Sequence, residues 1–429
     1  MRSPGTVSKP EICVSGLYRL STVMRDSRDL ERFLIPLAIT ATFSVAAVFS
    51  LPAVAFAASF RGLGVLPGGE YPYSKALDIS ADGSVVVGES LSANGLEAFR
   101  WTTATGMVGL GNLGGAESFS SALGVSADGL VVVGGSSSPL SGSRSEAFRW
   151  TAATGMLGLG DLPGGEEFSS AASGVSSDGS FATGSSTSDL SPSWGEAFRW
   201  ADATGLVALG VLPGSEIPTT VPERISADGT VVVGWAFTEN GREAFRWSEA
   251  DGLVGMGDLP GGNFDSWARG VSAEGSVIVG SALNPGPTSF LWTAAKGLVD
   301  LGRPPGGNSS SAWGVSADGL VVVGDAGVGG ERVPAIWDAS HGMRNLVDVL
   351  VELGLAPDMA GWDLELAKAV SADGLTVVGW GYNPSGGQEA WIANLGQPSL
   401  VEIPTASRAA LIIFGALLTT VALATLRLR

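Results

Sequence analysis

Hydrolytic and redox chemistry draw on a small set of side chains, and this chain is short of them. Its 429 residues include one histidine, His341, and one cysteine, Cys13. A nucleophile-histidine-acid triad could be assembled only around His341, and a histidine-rich zinc or copper site cannot be built from one imidazole. The setting Asp338-Ala339-Ser340-His341-Gly342 reads as a turn between strands, where an exposed histidine is expected. The 63 glycines recur at turn positions with no following lysine or helix, so no phosphate-cradling loop is read among them. What remains open is carboxylate chemistry. A glycosidase or lyase needs two carboxyl groups about 5 to 10 Å apart, and the loops offer Glu70, Glu117, Glu166, Glu167, Glu216 and Asp265, with no pair standing out.

Three residue types recur at fixed spacing and invite a chemical reading. Acidic residues stand in Gly-rich corners at Asp82, Asp128, Asp178, Asp228, Glu274, Asp318 and Asp373. Calcium loops need several oxygens at alternate positions, and each corner supplies one carboxylate, so a hairpin turn is expected there. Tryptophans recur at Trp101, Trp150, Trp200, Trp247, Trp292, Trp337 and Trp391. A ring repeated at one strand position in every unit is expected in packing between units rather than in a stacking platform for sugars. Arg100, Arg149, Arg199 and Arg246 precede four of these tryptophans, while Leu291, Ile336 and Ile392 precede others. A site that accepts an apolar side chain suggests packed arginine stems with hydrated or paired heads.

Positioning these residues requires a repeat, and self-similarity is the strongest signal in the chain. One unit reads Ala-x-Gly-Val-Ser-Ala-Asp-Gly-x-Val-Val-Val-Gly, a variable stretch, Glu-Ala-Phe-Arg-Trp, Thr-Ala-Ala-Thr-Gly, then Leu-Gly-x-Leu-Pro-Gly-Gly. Seven units occur, their acidic corners 44 to 55 residues apart. Each holds four short runs rich in Val, Ile, Phe and Trp bounded by Gly, Asp and Pro, the pattern of a four-stranded propeller blade. The Leu-Gly segment, read as the fourth strand, first occurs at Gly62–Gly69, before any acidic corner, and is missing after Trp391-Ile392-Ala393. An open array would leave an unpaired edge at each end. This offset therefore predicts an all-β, seven-bladed β-propeller closed by an N-terminal strand. The sixth unit departs at Asn345–Leu353, where a short helix or a long strand on the rim is expected.

The two ends read differently from the repeats. Arg25, Arg28 and Arg32 precede an apolar run from Phe33 to Phe56 that ends in Ala55-Phe56-Ala57, the form of a signal peptide cleaved near residue 57. A membrane anchor is the alternative, and Met24 is a second candidate start. Residues 401–429 contain Ile403-Pro404-Thr405-Ala406-Ser407, an apolar stretch from Ala409 to Leu426, then Arg427 and Arg429. That stretch is long enough for a C-terminal transmembrane helix with its basic end in the cytoplasm. Three segments follow: a signal peptide over 1–57, the propeller over 58–400, and a sorting or anchor segment over 401–429. Residues 58–400 carry 15 Lys and Arg against 37 Asp and Glu, a balance of −22. Such a surface repels phosphate backbones, and no nucleic-acid partner is expected. With Cys13 in the removed part, the propeller can form no disulfide.

Glu-Ala-Phe-Arg-Trp at 97–101, 146–150, 196–200 and 243–247, with Gly-Val-Ser-Ala-Asp-Gly and Val-Val-Val-Gly alongside, resembles the HAF family of extracellular repeat proteins. Glutamate stands where the family name has histidine. The resemblance covers residues 60–395 and implies export and a repeat scaffold, with no assigned reaction and no cofactor. The tail resembles the PEP-CTERM class of bacterial sorting signals in its Ile-Pro-Thr-x-Ser form, which implies a sorting peptidase as partner. It lacks the acidic and tryptophan residues that often follow the serine, which leaves a plain membrane anchor open.

Function is expected where the units differ, because loops carry binding groups on a rigid scaffold. In a four-stranded blade the loops joining strands two to three and four to one emerge on one face. They carry Tyr71, Tyr73, Phe119, Phe168, Trp194, Trp235, Phe264, Trp267, Trp313 and Tyr382 beside the acidic residues named above. Aromatic rings flanked by carboxylates suit sugar faces and hydroxyls, or a basic or calcium-bridged partner. The expectation is an exported, non-catalytic protein of the cell surface or extracellular matrix that binds a polysaccharide or an envelope protein. The alternative is a carbohydrate-active enzyme with paired carboxylates.

Overall fold

The computed structural model describes residues 57–115, 118–165, 167–191 and 195–396. The expected signal peptide, the C-terminal sorting helix and the side chains of Glu117, Glu166 and Trp194 lie outside the described residues. Among those described, no helix is long and apolar enough to cross a membrane.

The described chain forms seven four-stranded antiparallel sheets. Blade 1 is built from β2 (Ser74–Ile79), β3 (Val85–Ser92), β4 (Gly95–Thr102) and β5 (Gly106–Gly109), with β2 innermost. Five further blades repeat that order. The seventh combines strands 363–370, 376–382 and 388–394 with β1 (Ser59–Gly62), which pairs with the last strand from Ser59 opposite Asn394 to Gly62 opposite Trp391. The expected closure is therefore present, with one correction. In blades 2 and 3 the fourth strand includes the Leu-Gly pair, at Leu159-Gly160 and Leu209-Gly210, as expected, whereas in blades 1, 4, 5 and 7 it ends just before that place and the segment is the connection that follows. Its Leu63 and Leu66 are buried between blades 7 and 1, which is why the segment reads as a strand.

A second closure runs around the axis. The amide of Ala81 donates to the carbonyl of Ala127, Ala127 to Ser177, Ser177 to Ala227, Ala227 to Ala273, Ala273 to Ala317, Ala317 to Ala372, and Ala372 back to Ala81, at 2.9 to 3.1 Å. Each of these residues is the second of a Ser-Ala-Asp-Gly corner or its variant, so the corner is placed by a hydrogen-bonded hoop at one end of the channel. The corner itself is a four-residue turn rather than a two-residue hairpin. Gly83 N–H donates to the Ser80 carbonyl at 3.0 Å, and Gly83 alone needs the left-handed region, at φ 73°.

Seven clusters of buried side chains fill the seven spaces between blades, and each contains one of the recurring tryptophans. The packing role expected of these rings holds. Blade 6 ends in a short strand, Gly342–Asn345, followed directly by helix α1 (Leu346–Glu352), so of the two readings of Asn345–Leu353 the short helix holds and the long strand does not. Asn345 caps the helix by accepting from Val347 N–H, and Leu346 and Leu350 are fully buried against blade 7.

Candidate functional site

The framework residues are occupied by the scaffold. Asp82 accepts from the Ser80 hydroxyl at 2.7 Å and from Ser84 N–H at 3.0 Å, and the same pattern recurs at Asp128, Asp178, Asp228, Asp318 and Asp373. The hydroxyl and amide of Ser180, with the Ser176 hydroxyl, hold the Asp178 carboxyl down at about 2. These acids are turn residues, and among the described residues no group of His, Cys, Asp and Glu could hold a metal. Arg100 and Arg199 donate to the carbonyls of Gly129 and Gly229 in the next blade, so the arginine row braces corners as expected.

The motif glutamates are likewise engaged. Glu97 accepts from Gly111 N–H at 3.0 Å, and Glu146, Glu196, Glu243 and Glu389 do the same for Gly160, Gly210, Gly257 and Gly64. Each such carboxylate ties its third strand to the end of the fourth, at Gly160 and Gly210, or to the connection just beyond it, at Gly111, Gly257 and Gly64. A hydroxyl from the neighbouring blade completes the stitch. Ser120 accepts from Ala98 N–H at 2.9 Å and donates to the Gly111 carbonyl at 2.6 Å, a pattern repeated by Ser74, Ser170, Thr220, Ser266 and Ser310. Where blade 6 meets blade 7 the donor position is Pro334, which has no N–H to satisfy. His341 lies in its turn with Nδ1 2.8 Å from Asp338 Oδ1, and its side chain is 60% exposed.

The candidate aromatics divide into three groups. Tyr71 and Tyr382 are exposed and, with Tyr73, line a hollow over blades 7 and 1 whose floor includes Pro72, Gly387 and Gln388. Tyr73 donates to Glu89 at 2.8 Å, and burial, reinforced by Glu89, raises its phenol above the ordinary range. Lys75 lies 5.3 Å from the Tyr73 ring and 5.2 Å from the Trp380 ring. Phe119, Phe168 and Phe264 are half-buried at loop bases. Glu167 pairs with Arg144 at the surface, Asp265 takes a two-pronged bond from Arg242, and Glu70 and Glu216 are exposed.

The third group corrects the loop assignment. Trp235, Trp267 and Trp313 sit in strands Val231–Thr238, Ser266–Val271 and Gly307–Val315, and Tyr382 ends strand Thr376–Tyr382. The strands run on beyond the repeated motif, so a variable sequence was read as a loop. Arg242 lies 5.8 Å from the Trp235 ring and 4.2 Å from the Trp267 ring. Arg269 lies 5.7 Å from Trp267 and 3.7 Å from Trp313, and Lys368 lies 3.9 Å from Trp313. Three indoles and three cations thus alternate from the loop face into the axial channel.

That channel is the feature the loop-based reading missed. Its cavity, about 180 Å³, is lined by the inner strands and includes Asp78, Arg224, Trp313 and Lys368. Each inner strand carries a register shift just after a buried alanine, Pro222 taking the alanine's place in blade 4, and the residues at the shift are Leu77, Leu123, Ser173, Glu223, Arg269, Trp313 and Lys368. This is the "x" of Ala-x-Gly-Val-Ser. Blades 1 to 3 place apolar or small side chains there, and blades 4 to 7 place charges and an indole. The next position, usually glycine, is Asp78 in blade 1 and Arg224 in blade 4. Arg224 reaches across the bore, donating to the carbonyls of Ser173 and Glu223 at 3.0 Å and of Leu77 at 3.3 Å.

Asp78 and Lys368 are surrounded by blade walls yet keep part of their surface on the channel. Burial pushes the Asp78 carboxyl up, opposed by Arg224 and by the Val125 amide that donates to it at 3.0 Å. Burial, then the charge of Arg224, brings the Lys368 ammonium down to about 7. Trp313 is fixed in place because its Nε1–H donates to Asp325 at 2.6 Å.

No protein-family description matches the chain, and no curated relative matches it. Solved structures to which it is similar include TolB from Acinetobacter baumannii, at 12% identity and a TM-score of 0.42 over 60% of this chain and 62% of that one. They include oligogalacturonate lyase from Vibrio parahaemolyticus, at 12% identity and 0.48 over 79% and 97%. A puromycin hydrolase matches at 15% identity and 0.49 over 77% of this chain and 55% of that one. Likenesses of this strength add nothing to what the strand pairing already establishes.

Proposed function

We propose that this chain is an exported propeller of the HAF type, held at or released from the cell surface through a C-terminal sorting segment. It binds an extracellular polysaccharide, or an envelope partner, without transforming it. One observation carries the reading. The groups common to all blades are spent on turns, stitches and packing, whereas the aromatic and charged groups that differ between blades gather at one end of the molecule and in the bore. The Tyr71, Tyr73 and Tyr382 hollow offers apolar ring faces with polar tips, a combination suited to saccharides. A binding screen of the full-length chain against glycans and exopolysaccharides, with mass analysis of the incubated sugars, tests this. Saturable binding of unchanged sugars supports it, and shortened or unsaturated products overturn it.

A second reading has one observation in its favour. Asp78, its carboxyl raised by burial, lines the bore, and Glu223 on the bulge of blade 4 lies near enough to act with it on Lys368, which is the raw material of an acid and base pair. In that case Asp78→Asn abolishes product formation in the same screen while leaving binding intact.

A further inference from the structure

Two cations at the bore, Lys368 in its lining and Arg269 against the same Trp313 ring, are reached by carboxylates only through space, Lys368 by Glu223 and Asp78 and Arg269 by Glu223 and Asp325. Among the described residues Arg269 and Lys368 make no hydrogen bond and no ion pair, and Arg269 Nε is buried without an acceptor. Both lie against the Trp313 ring, at 3.7 and 3.9 Å from its centre, and that ring is itself locked by Asp325. Arg224, by contrast, is spent on three carbonyls. A buried charge left unpaired is costly. Bulge positions elsewhere in the ring hold Leu77, Leu123 and Ser173, so the scaffold does not demand cations there.

We propose that Arg269 and Lys368, positioned by Trp313, form an oxyanion site in the axial channel that takes the carboxylate of an acidic sugar, so that the polysaccharide bound is a uronate-containing one. This rests on the polysaccharide-binding reading and narrows it. The acidic exterior does not oppose it. Charges more than about 8 Å apart in solution are largely screened at physiological salt, while those in the bore are not. A surface at −22 around a cationic bore selects polymers that can place a single carboxylate at the axis and disfavours densely charged ones.

The groups that face the Lys368 ammonium are Arg224 and Glu223 from blade 4, Arg269 from blade 5, the Trp313 ring from blade 6 and Asp78 from blade 1. Depression to about 7 makes its charge, and hence anion binding, fall as pH rises past neutrality. The test is isothermal titration of the full-length chain with glucuronic acid oligomers, with neutral cello-oligosaccharides of the same length, with inorganic phosphate and with a poly-glutamate peptide, from pH 5.5 to 8.5. The expected result is tighter binding of the glucuronate oligomers, weakening by up to tenfold per unit above pH 7. Lys368→Met should lose about tenfold affinity for them at pH 6 with no change for the neutral oligomers, and Lys368→Arg should keep the affinity and flatten the pH profile. Arg269→Gln provides an independent loss of comparable size. Equal binding of acidic and neutral oligomers overturns this site and leaves the polysaccharide reading standing. Binding of neither overturns both, and tighter binding of phosphate or poly-glutamate than of the sugar acids overturns the uronate assignment.

Discussion

Replacing Phe60 by alanine probes ring closure at the strand that makes it. Phe60 is 7% exposed, packed between blades 6 and 7, with ring centres 5.4 Å from Trp362 and 6.1 Å from Trp391. Truncating a buried phenylalanine costs about 3 to 5 kcal/mol. The edge-to-face contact with Trp362 places this one at about 4 kcal/mol. If a ring of roughly 340 residues unfolds as one unit, an entropy near 2.1 cal/mol/K per residue turns that into a fall in Tm of about 6 °C. Calorimetry at pH 7 reads both the shift and the shape of the transition. Val108→Ala, on an exposed position of β5, is the control and should move Tm by less than about 1 °C. A single sharp transition displaced by several degrees supports closure. An unchanged main transition with a small early shoulder, in which only the terminal blade frays, refutes it.

Ser170→Ala removes the acceptor of Ala147 N–H and should cost about 1 to 3 kcal/mol in chemical denaturation, with Ser170→Thr close to wild type because blade 4 uses Thr220 at this place. Gly129→Ala and Gly155→Ala both strain a left-handed turn, at φ 70° and 68°, by about 1 kcal/mol. A β-carbon at Gly129 would also meet Val85 at 2.4 Å whereas one at Gly155 meets nothing, so the first should be the worse by about 1 to 3 kcal/mol. The carboxyls of Asp82, Asp128, Asp178, Asp228 and Asp318 are depressed when folded, chiefly by the serine and backbone hydrogen bonds they accept, so their stabilisation is present above the ordinary carboxylate range and is lost as pH falls through their folded values, about 2 for Asp178. Melting temperature should therefore decline between pH 4 and pH 2, and Asp178→Asn should lower it at pH 7 but make progressively less difference over that interval. A constant gap between the two proteins would contradict the role given to the corner.

The fold was legible because its determinants recur. Asp-Gly corners, Val-Val-Val-Gly strands and Glu-Ala-Phe-Arg-Trp strands mark blades, and the misplaced Leu-Gly segment ahead of the first corner gave the closure, although the strand itself, Ser59–Gly62, ends where the segment begins. The tryptophan row was read correctly for the same reason, since a residue repeated in every blade is explained by what every blade shares. The site was legible only in part. The rule that function lies where units differ was applied to loops, which placed Tyr71 outside the strands as the structure does but assigned Trp235, Trp267, Trp313 and Tyr382 to loops although they sit in strands. Applied column by column inside the strands, it would have found the variable position that follows the alanine of the inner strand (Pro222 in blade 4), where Glu223, Arg269, Trp313 and Lys368 succeed one another. What no column shows is that a register shift falls at that position in every blade, with Trp313 and Lys368 reaching the cavity, because a bulge depends on pairing rather than on residue type.

The most direct test of where this protein engages its ligand is hydrogen exchange on the full-length chain with and without a saturating glucuronate oligomer. Slowed exchange confined to the inner strands at 266–271, 310–315 and 363–370 and to the segments around 69–73 and 382–388 is the predicted result. Protection centred on the Asp-Gly corners or on the outer strands, with the inner strands unchanged, would contradict the account.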